Sequence, residues 1–66
     1  MRIVVNGEEK SFDGPLSAAL LLEHLGMNPR LAVVEKNGVI VERSGLGGEV
    51  LEEGDVLEIV RLVGGG

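Results

Sequence analysis

Two Asn-Gly pairs constrain the fold of this chain more than any other feature of its sequence. Asn6-Gly7 follows the β-branched run Ile3-Val4-Val5, and Asn37-Gly38 stands between two runs that contain β-branched residues. Asparagine and glycine tolerate the positive φ angles of a type I′ turn, which matches the twist of a two-stranded hairpin. The sequence therefore predicts two β-hairpins, one at the beginning of the chain and one in its middle.

The first hairpin pairs residues 2–5 with residues 9–12, and its loop length sets the register. A two-residue loop places Phe12 opposite Met1, whereas a four-residue loop places it opposite Ile3. Both loops leave Phe12 on the same face as Ile3. The face of Phe12 is therefore predicted, and the register stays open.

A short helix is predicted between the hairpins. Ser17 can cap its beginning, because a serine hydroxyl accepts a hydrogen bond from an otherwise unpaired amide of the first turn. Gly26 supplies the left-handed residue that ends a helix. The apolar residues at helical spacing are Ala18, Leu21, Leu22 and Leu25. A helix of about nine residues does not persist alone in water, so we expect it to pack on a sheet.

The second half of the chain predicts a hairpin, a loop and a final strand. Residues 31–36 and 39–41 form the second hairpin around Asn37-Gly38. Residues 42–50 are polar and rich in glycine, and they predict an irregular connection. A phosphate-binding P-loop is a poor alternative, because no Gly-Lys-Ser/Thr sequence follows and no helix begins there. A turn at residues 51–55 then leads to the final strand, residues 56–63.

The final strand is largely apolar on both faces, which is typical of a central strand. Leu57 and Ile59 share one face, and we expect them to lie under the helix. One short helix covers only one face of a small sheet, so the other face is predicted to be partly exposed. Exposed apolar patches often mark protein contacts. The residues of this predicted partner-binding surface are Val56, Glu58, Val60 and Leu62. The alternative, in which the loop at residues 42–50 covers them, stays open.

Composition excludes several classes of function. The chain has 66 residues and no cysteine, so disulfide scaffolds, cysteine nucleophiles and thiolate metal sites are excluded. The formal net charge of −5 has the wrong sign for binding nucleic acid, and a basic protein partner fits it better. No segment is long and apolar enough to serve as a signal peptide or to cross a membrane. We therefore expect a single cytoplasmic domain.

The chain closes on three glycines, Gly64-Gly65-Gly66, directly after the apolar final strand. Glycine has no Cβ, so an extended glycine arm can thread a narrow cleft and place a terminal carboxylate beside a reactive group. We expect residues 1–63 to form the domain and residues 64–66 to form a flexible tail. The alternative for such a tail is an inert linker or tag remnant.

Several segments together resemble the ThiS family, the bacterial sulfur carriers of thiamin biosynthesis. In the second half they are Val34 through Asn37-Gly38 to Val41, Arg43-Ser44, Leu51-x-x-Gly54-Asp55, Glu58-Ile59-Val60 and Val63-Gly64-Gly65-Gly66. In the first half they are Asn6-Gly7, Ser17 and Leu21-Leu22-x-x-Leu25-Gly26. The departure is Gly45-Leu46-Gly47-Gly48, where the family is expected to carry bulkier polar residues. The chain resembles the family in the order of these segments, in the spacing between them and in its total length.

The resemblance implies an α+β fold of the β-grasp, ubiquitin-like type. Such a fold has a mixed sheet of four to five strands, with one helix packed on one face. Its element order is ββαββ, followed by a short terminal strand and the glycine tail. The order of predicted elements in this chain fits that description.

The resemblance also implies a carrier chemistry at Gly66. A ThiF-like adenylyltransferase would use ATP to convert the Gly66 carboxylate into an acyl-adenylate. Sulfur from a persulfide donor would then displace AMP and leave a thiocarboxylate for a ThiG-like thiazole synthase. Gly64 and Gly65 would lie extended inside each partner. The chain itself would bind no cofactor or metal and contribute no catalytic residue, so it would be a carrier rather than an enzyme.

Three alternatives remain at this point. A MoaD-like carrier for molybdenum cofactor synthesis shares the fold and the diglycine end, although that family usually runs longer. A ubiquitin-like modifier would form isopeptide bonds with lysines of target proteins. An interaction module would carry an inert tail. The lone His24 is interpreted as a surface or boundary residue, and acidic side chains near the tail, Glu58 among them, are hypothesised to pair with basic residues of an activating enzyme.

Overall fold

Five strands form one mixed sheet in this computed structural model, which describes residues 1–63. The strands are β1 (Arg2–Val5), β2 (Glu8–Ser11), β3 (Ala32–Lys36), β4 (Val39–Val41) and β5 (Val56–Arg61). Their order across the sheet is β2-β1-β5-β3-β4. Strands β1 and β5 are parallel, and all other neighbours are antiparallel. The predicted order ββαββ with a terminal strand is confirmed, and β5 is the central strand.

Both Asn-Gly pairs form the predicted hairpin turns. Asn6 and Asn37 have φ angles of 50° and 52°, and the glycines that follow them have φ angles of 81° and 84°. The first loop has two residues, because the Phe12 amide donates a 2.9 Å hydrogen bond to the Met1 carbonyl. Phe12 therefore lies opposite Met1, which settles the register that the sequence left open.

Helix α1 (Ala18–His24) packs its apolar side into the core. The Ser17 hydroxyl accepts a 3.1 Å hydrogen bond from the Leu20 amide, so the predicted cap is confirmed. Gly26 adopts the predicted left-handed conformation, with a φ angle of 69°. The helix has seven residues and is shorter than predicted, because Leu25 already serves as its C-terminal cap.

The core is aliphatic and lies between α1 and one face of the sheet. Leu57 has no exposed surface and Ile59 is buried, as predicted, beside Leu21 and Leu22 of the helix. The largest fully enclosed side chains of the described residues are Ile3, Leu21, Leu22, Val34 and Leu57. Burial of each such side chain contributes about 1.5–3 kcal/mol, so this layer holds the short helix in place.

Residues 42–50 differ from the predicted irregular connection. Arg43–Gly48 form a 3-10 helix beside α1, and Leu46 is buried in the core with only 3% of its surface exposed. The physical reason is that Leu46 is the one large apolar side chain between Glu42 and Glu49, so it anchors the whole segment. A second 3-10 turn at Pro29–Leu31 delays the start of β3 to Ala32.

Asp55 connects the start of β5 to the second hairpin. Its carboxylate accepts hydrogen bonds from the Asn37 side-chain amide at 3.0 Å and from the Glu52 backbone amide at 2.8 Å. The Asn37 side-chain oxygen in turn accepts a 2.9 Å hydrogen bond from the Val56 amide. Burial by itself raises the pKa of Asp55, but the two hydrogen bonds and the charge of Lys36 outweigh it and hold that pKa below its ordinary value.

We expect Asp55→Asn to lower the free energy of unfolding at neutral pH and to make that free energy less dependent on pH in the acid range. The lowered pKa of Asp55 means that the ionised carboxylate stabilises the folded state above about pH 4, and that this stabilisation is lost as the pH falls through the folded-state value. The substitution should lower the free energy of unfolding at pH 7 by about 1–3 kcal/mol. Urea unfolding at a series of pH values measures both effects.

The matched control is Asp13→Asn, which removes an exposed carboxylate from a loop. It should leave the free energy of unfolding at pH 7 nearly unchanged. Equal pH profiles for the wild type and Asp55→Asn would contradict a stabilising role of the Asp55 carboxylate.

Candidate functional site

The predicted partner-binding surface lies along β5 on the face of the sheet that α1 does not cover. Val56, Glu58 and Val60 alternate with the buried Leu57 and Ile59, so they point away from the core. The exposed fractions are 44% for Val56, 59% for Val60 and 44% for Leu62. The segment at residues 42–50 therefore does not cover these side chains, and that alternative is wrong because Leu46 fixes the segment on the helix side.

Neighbouring strands extend this surface. Val4 of β1 is paired with Val56, and Val33 of β3 is paired with Val60. Ile40 of β4, which is 63% exposed, follows on the same face beside Glu35. We call the set Val4, Val33, Glu35, Ile40, Val56, Glu58 and Val60 the open face. The members on β1, β3 and β4 are not predicted from the sequence, because strand spacing does not reveal which strands are neighbours.

Two carboxylates lie opposite each other within the open face. Glu35 of β3 and Glu58 of β5 are directly paired across the two strands. Like charges in this position repel each other, and their Cβ atoms are roughly 5 Å apart. The ion pairs among residues 1–63 join Arg2 to Glu9, Lys10 to Glu8 and Lys36 to Glu49, so none of them neutralises this pair. A cationic group of a partner would remove the repulsion.

Arginines lie where β5 ends. Arg61 is the last residue of β5, and the amide of the next residue, Leu62, donates a 2.6 Å hydrogen bond to the Leu31 carbonyl. Arg30 precedes Leu31, and its carbonyl accepts a 3.2 Å hydrogen bond from the Arg43 guanidinium. The hypothesis from the sequence places acidic side chains near the tail, Glu58 among them. Glu58 instead lies further back along β5, and the 3-10 turn brings Arg30 beside the strand end.

Asn6 fastens the second half of β5. Its side-chain oxygen accepts a 2.7 Å hydrogen bond from the Ile59 amide, and its side-chain amide donates a 3.1 Å hydrogen bond to the Ile59 carbonyl. The Asn6 backbone amide also donates to the Leu57 carbonyl at 2.9 Å. The side chain of Asn6 thus makes the hydrogen bonds to Ile59 that a further residue of β1 would make. These bonds fix the direction of the second half of β5.

Comparison with known proteins decides the family. The family model described as "ThiS family" matches residues 3–66. The crystal structure of a thiamine biosynthesis protein, ThiS, from Geobacter metallireducens superposes with a TM-score of 0.84 at 32% identity, and the match covers all of both chains. The chain belongs to the ThiS family. The five-stranded sheet with its helix is accordingly the ubiquitin-like β-grasp, as the resemblance implied.

This ThiS-family chain is also similar to part of two longer proteins. Over 66 residues it is 41% identical to a thiazole synthase of Paramagnetospirillum magneticum and 38% identical to a thiazole synthase of Magnetococcus marinus. All of the chain is matched in both cases, and it spans 20% of the length of each of these relatives.

The remaining predicted site residues lie outside the described part of this ThiS-family chain. Gly66, as the point of sulfur attachment, and Gly64 and Gly65, as the segment that threads a partner, stay predictions. The division between a domain at residues 1–63 and a tail at residues 64–66 is likewise a prediction.

Other candidate sites in the body are weak. His24 is exposed and its ring lies 5.4 Å from that of Phe12, centroid to centroid. Residues 1–63 contain no group of three or more histidine or acidic side chains suited to hold a metal ion. In the same range, no helix is long and apolar enough to cross a membrane.

We expect Asn6→Ala to loosen β5 on the side that faces β1. The substitution removes both side-chain hydrogen bonds to Ile59 and should lower the free energy of unfolding by about 2 kcal/mol. Hydrogen exchange of the Ile59 amide should become faster than in the wild type. Asn6→Asp is the matched variant, because it keeps the acceptor for the Ile59 amide and should retain most of its protection. An Ile59 amide as well protected in Asn6→Ala as in the wild type would contradict the assignment.

Proposed function

We propose that this chain is a sulfur carrier of thiamin biosynthesis and carries sulfur as a thiocarboxylate on Gly66. One observation carries the proposal: the ThiS family model matches the chain from residue 3 through the final glycines to residue 66. The similarity to thiazole synthases supports the same pathway, because thiazole is the product their name states.

Activation of Gly66 is required because a carboxylate is anionic and stabilised by resonance, and is therefore a poor acyl donor. A ThiF-like adenylyltransferase joins a carboxylate oxygen of Gly66 to the α-phosphorus of ATP and releases pyrophosphate. The terminal sulfur of a persulfide donor then attacks the acyl carbon, and AMP leaves. A thiol cleaves the sulfur–sulfur bond, which yields the Gly66 thiocarboxylate and a disulfide. The covalent carrier divides one difficult transfer into easier steps.

The body of the protein contributes recognition rather than catalysis. The open face offers an apolar surface beside the strand that leads to the glycines, and such a surface suits a protein partner. Gly64 and Gly65 pass through the partner's cleft, where a Cβ would collide with the walls. The catalytic groups and the bound ATP belong to the activating enzyme.

The sulfur passes from Gly66 to a ThiG-like thiazole synthase. Two proteins with this name contain a segment similar to the whole of this chain, which supports a close association of carrier and synthase. The thiocarboxylate sulfur bonds to a carbon of the synthase's substrate, and water then cleaves the acyl–sulfur bond, which leaves the sulfur on the substrate and returns Gly66 with its carboxylate for another cycle.

We expect protein purified from its own host under thiamin starvation to contain a form in which sulfur replaces one oxygen. Intact mass spectrometry detects this form, and fragmentation should place the sulfur on Gly66. A variant that lacks Gly66 should fold with an unchanged free energy of unfolding, because residues 1–63 contain the core, but it should not acquire sulfur. Sulfur on the shortened variant would refute the site, and conjugates to lysines of other proteins would indicate a modifier instead.

We expect Glu58→Lys to slow association with the activating enzyme. The charge of Glu58 lies in the open face, and reversal removes the attraction to a cationic group of the partner, so the association rate at low salt should fall about threefold to tenfold. Stopped-flow measurement at several salt concentrations determines this rate.

The control for this experiment is Glu23→Lys, which makes the same change of charge on the exposed side of α1, away from the open face. It should associate at nearly the wild-type rate. Equal rates for Glu58→Lys and the wild type would remove Glu58 from the proposed interface.

A further inference from the structure

The last part of β5 has a neighbouring strand on one side only. On one side, β3 pairs with β5 from Lys36 opposite Leu57 to Ala32 opposite Arg61. On the other side, β1 pairs with it only at Val56 and Leu57. Beyond these two residues no residue of β1 pairs with β5, and the side chain of Asn6 forms hydrogen bonds with the backbone N–H and C=O groups of Ile59 instead.

The backbone groups of Arg61 face the side on which β1 has ended. Alternate residues of a strand direct their N–H and C=O groups to opposite sides. Leu57 and Ile59 direct theirs toward β1 and Asn6, whereas the Leu62 amide points the other way, to Leu31. The N–H and C=O groups of Arg61 therefore point to the same side as those of Ile59. On that side β1 has already turned back at Asn6-Gly7, and among residues 1–63 no other strand lies beside Arg61. We call this side of the chain, at Arg61 and at the two residues after β5, Leu62 and Val63, the tail edge.

The tail edge differs from the two outer edges of the sheet. The outer strand β2 carries Glu8, Glu9 and Lys10, and the outer strand β4 has only three residues. Charged side chains and short length are the features by which proteins prevent an edge from pairing with another chain. The tail edge instead combines apolar neighbours, Leu62 and Val63, with direct continuity into the glycines.

We propose that an extended segment of the activating enzyme pairs with the tail edge as an added β-strand, beginning at Arg61. This inference rests on the proposed function. An enzyme that acts beyond Val63 meets glycines, which offer only their backbone N–H and C=O groups for recognition. Strand addition uses those groups, and its affinity comes from main-chain hydrogen bonds. Arg61 is the first residue at which such a ladder can start.

A ladder of hydrogen bonds that starts at Arg61 also sets the distance between the sheet and the carboxylate of Gly66. Gly66 is five positions after Arg61, and at roughly 3.3 Å per position an extended chain spans about 17 Å between them. Because Asn6 and Leu31 fasten β5 on both sides at the beginning of the ladder, the register of the added strand determines where the carboxylate of Gly66 lies. The position of the Gly66 carboxylate in the partner is thus set relative to the fixed sheet.

The test compares Val63→Pro with Val63→Ala. Both variants replace the exposed valine side chain, but only proline also removes the N–H group at this position, and it remains compatible with an extended chain. Affinity for the ThiF-like adenylyltransferase of the same host, measured by calorimetry, should fall about tenfold in Val63→Pro and by less than about twofold in Val63→Ala. Equal affinities for the two variants would overturn the proposal.

Hydrogen exchange provides the second measurement. In the free protein the Arg61 amide should exchange quickly, while the Leu62 amide, bonded to Leu31, is protected. In the complex with the adenylyltransferase, the Arg61 amide should become protected. An Arg61 amide that stays unprotected in the complex overturns the proposal, and protection in the free protein that rises with concentration assigns the edge to a second copy of this chain instead.

The two proposals fail in different ways. If the wild type acquires sulfur while both Val63 variants bind equally well, strand addition is wrong and the carrier function stands. If the wild type binds the enzyme through a protected Arg61 amide but never acquires sulfur, the carrier function is wrong.

Discussion

The fold depends on the way in which two asparagine side chains hold the central strand from opposite sides. Asn6 bonds both backbone groups of Ile59, and Asn37 bonds the Val56 amide and the buried carboxylate of Asp55. Each asparagine also occupies the first of the two positions of its hairpin turn that require a positive φ angle. One residue type therefore meets two demands, since it closes a hairpin and fastens that hairpin to β5. Without these bonds, backbone groups on both sides of β5 would lose their partners.

The two faces of this small sheet differ in their exposure to solvent. Leu57 and Ile59 are buried beneath α1, while Val56 and Val60 remain exposed on the open face. A domain of this size buries only about 60% of its unfolded surface, so it has little capacity for an enclosed active site. A rigid body that presents one end of its chain to larger enzymes suits that limit. The stability of the sheet and the chemistry proposed for Gly66 thus occupy different parts of the molecule.

Local patterns in the sequence predicted most of the elements. The Asn-Gly turns, the Ser17 cap and the buried alternation of β5 each depend on residues within a few positions of one another. The bonds from Asn6 to Ile59 and from Asn37 to Val56 join residues 53 and 19 positions apart, so no local spacing reveals them. The same limit applies to the pairing of Glu35 with Glu58. The buried Leu46 stands among glycines, which favoured an irregular loop over the observed 3-10 helix.

The central claim is that the carboxylate of Gly66 is the reactive group and that the folded body delivers it. The most direct test is ATP–pyrophosphate exchange catalysed by the ThiF-like adenylyltransferase, with the full chain compared with a semisynthetic chain whose Gly66 ends in a carboxamide. Both forms have the same fold and differ only at the terminal group. If the Gly66 carboxylate is the reactive group, exchange depends on the unmodified chain and is absent with the carboxamide. Equal exchange with the two forms would contradict it.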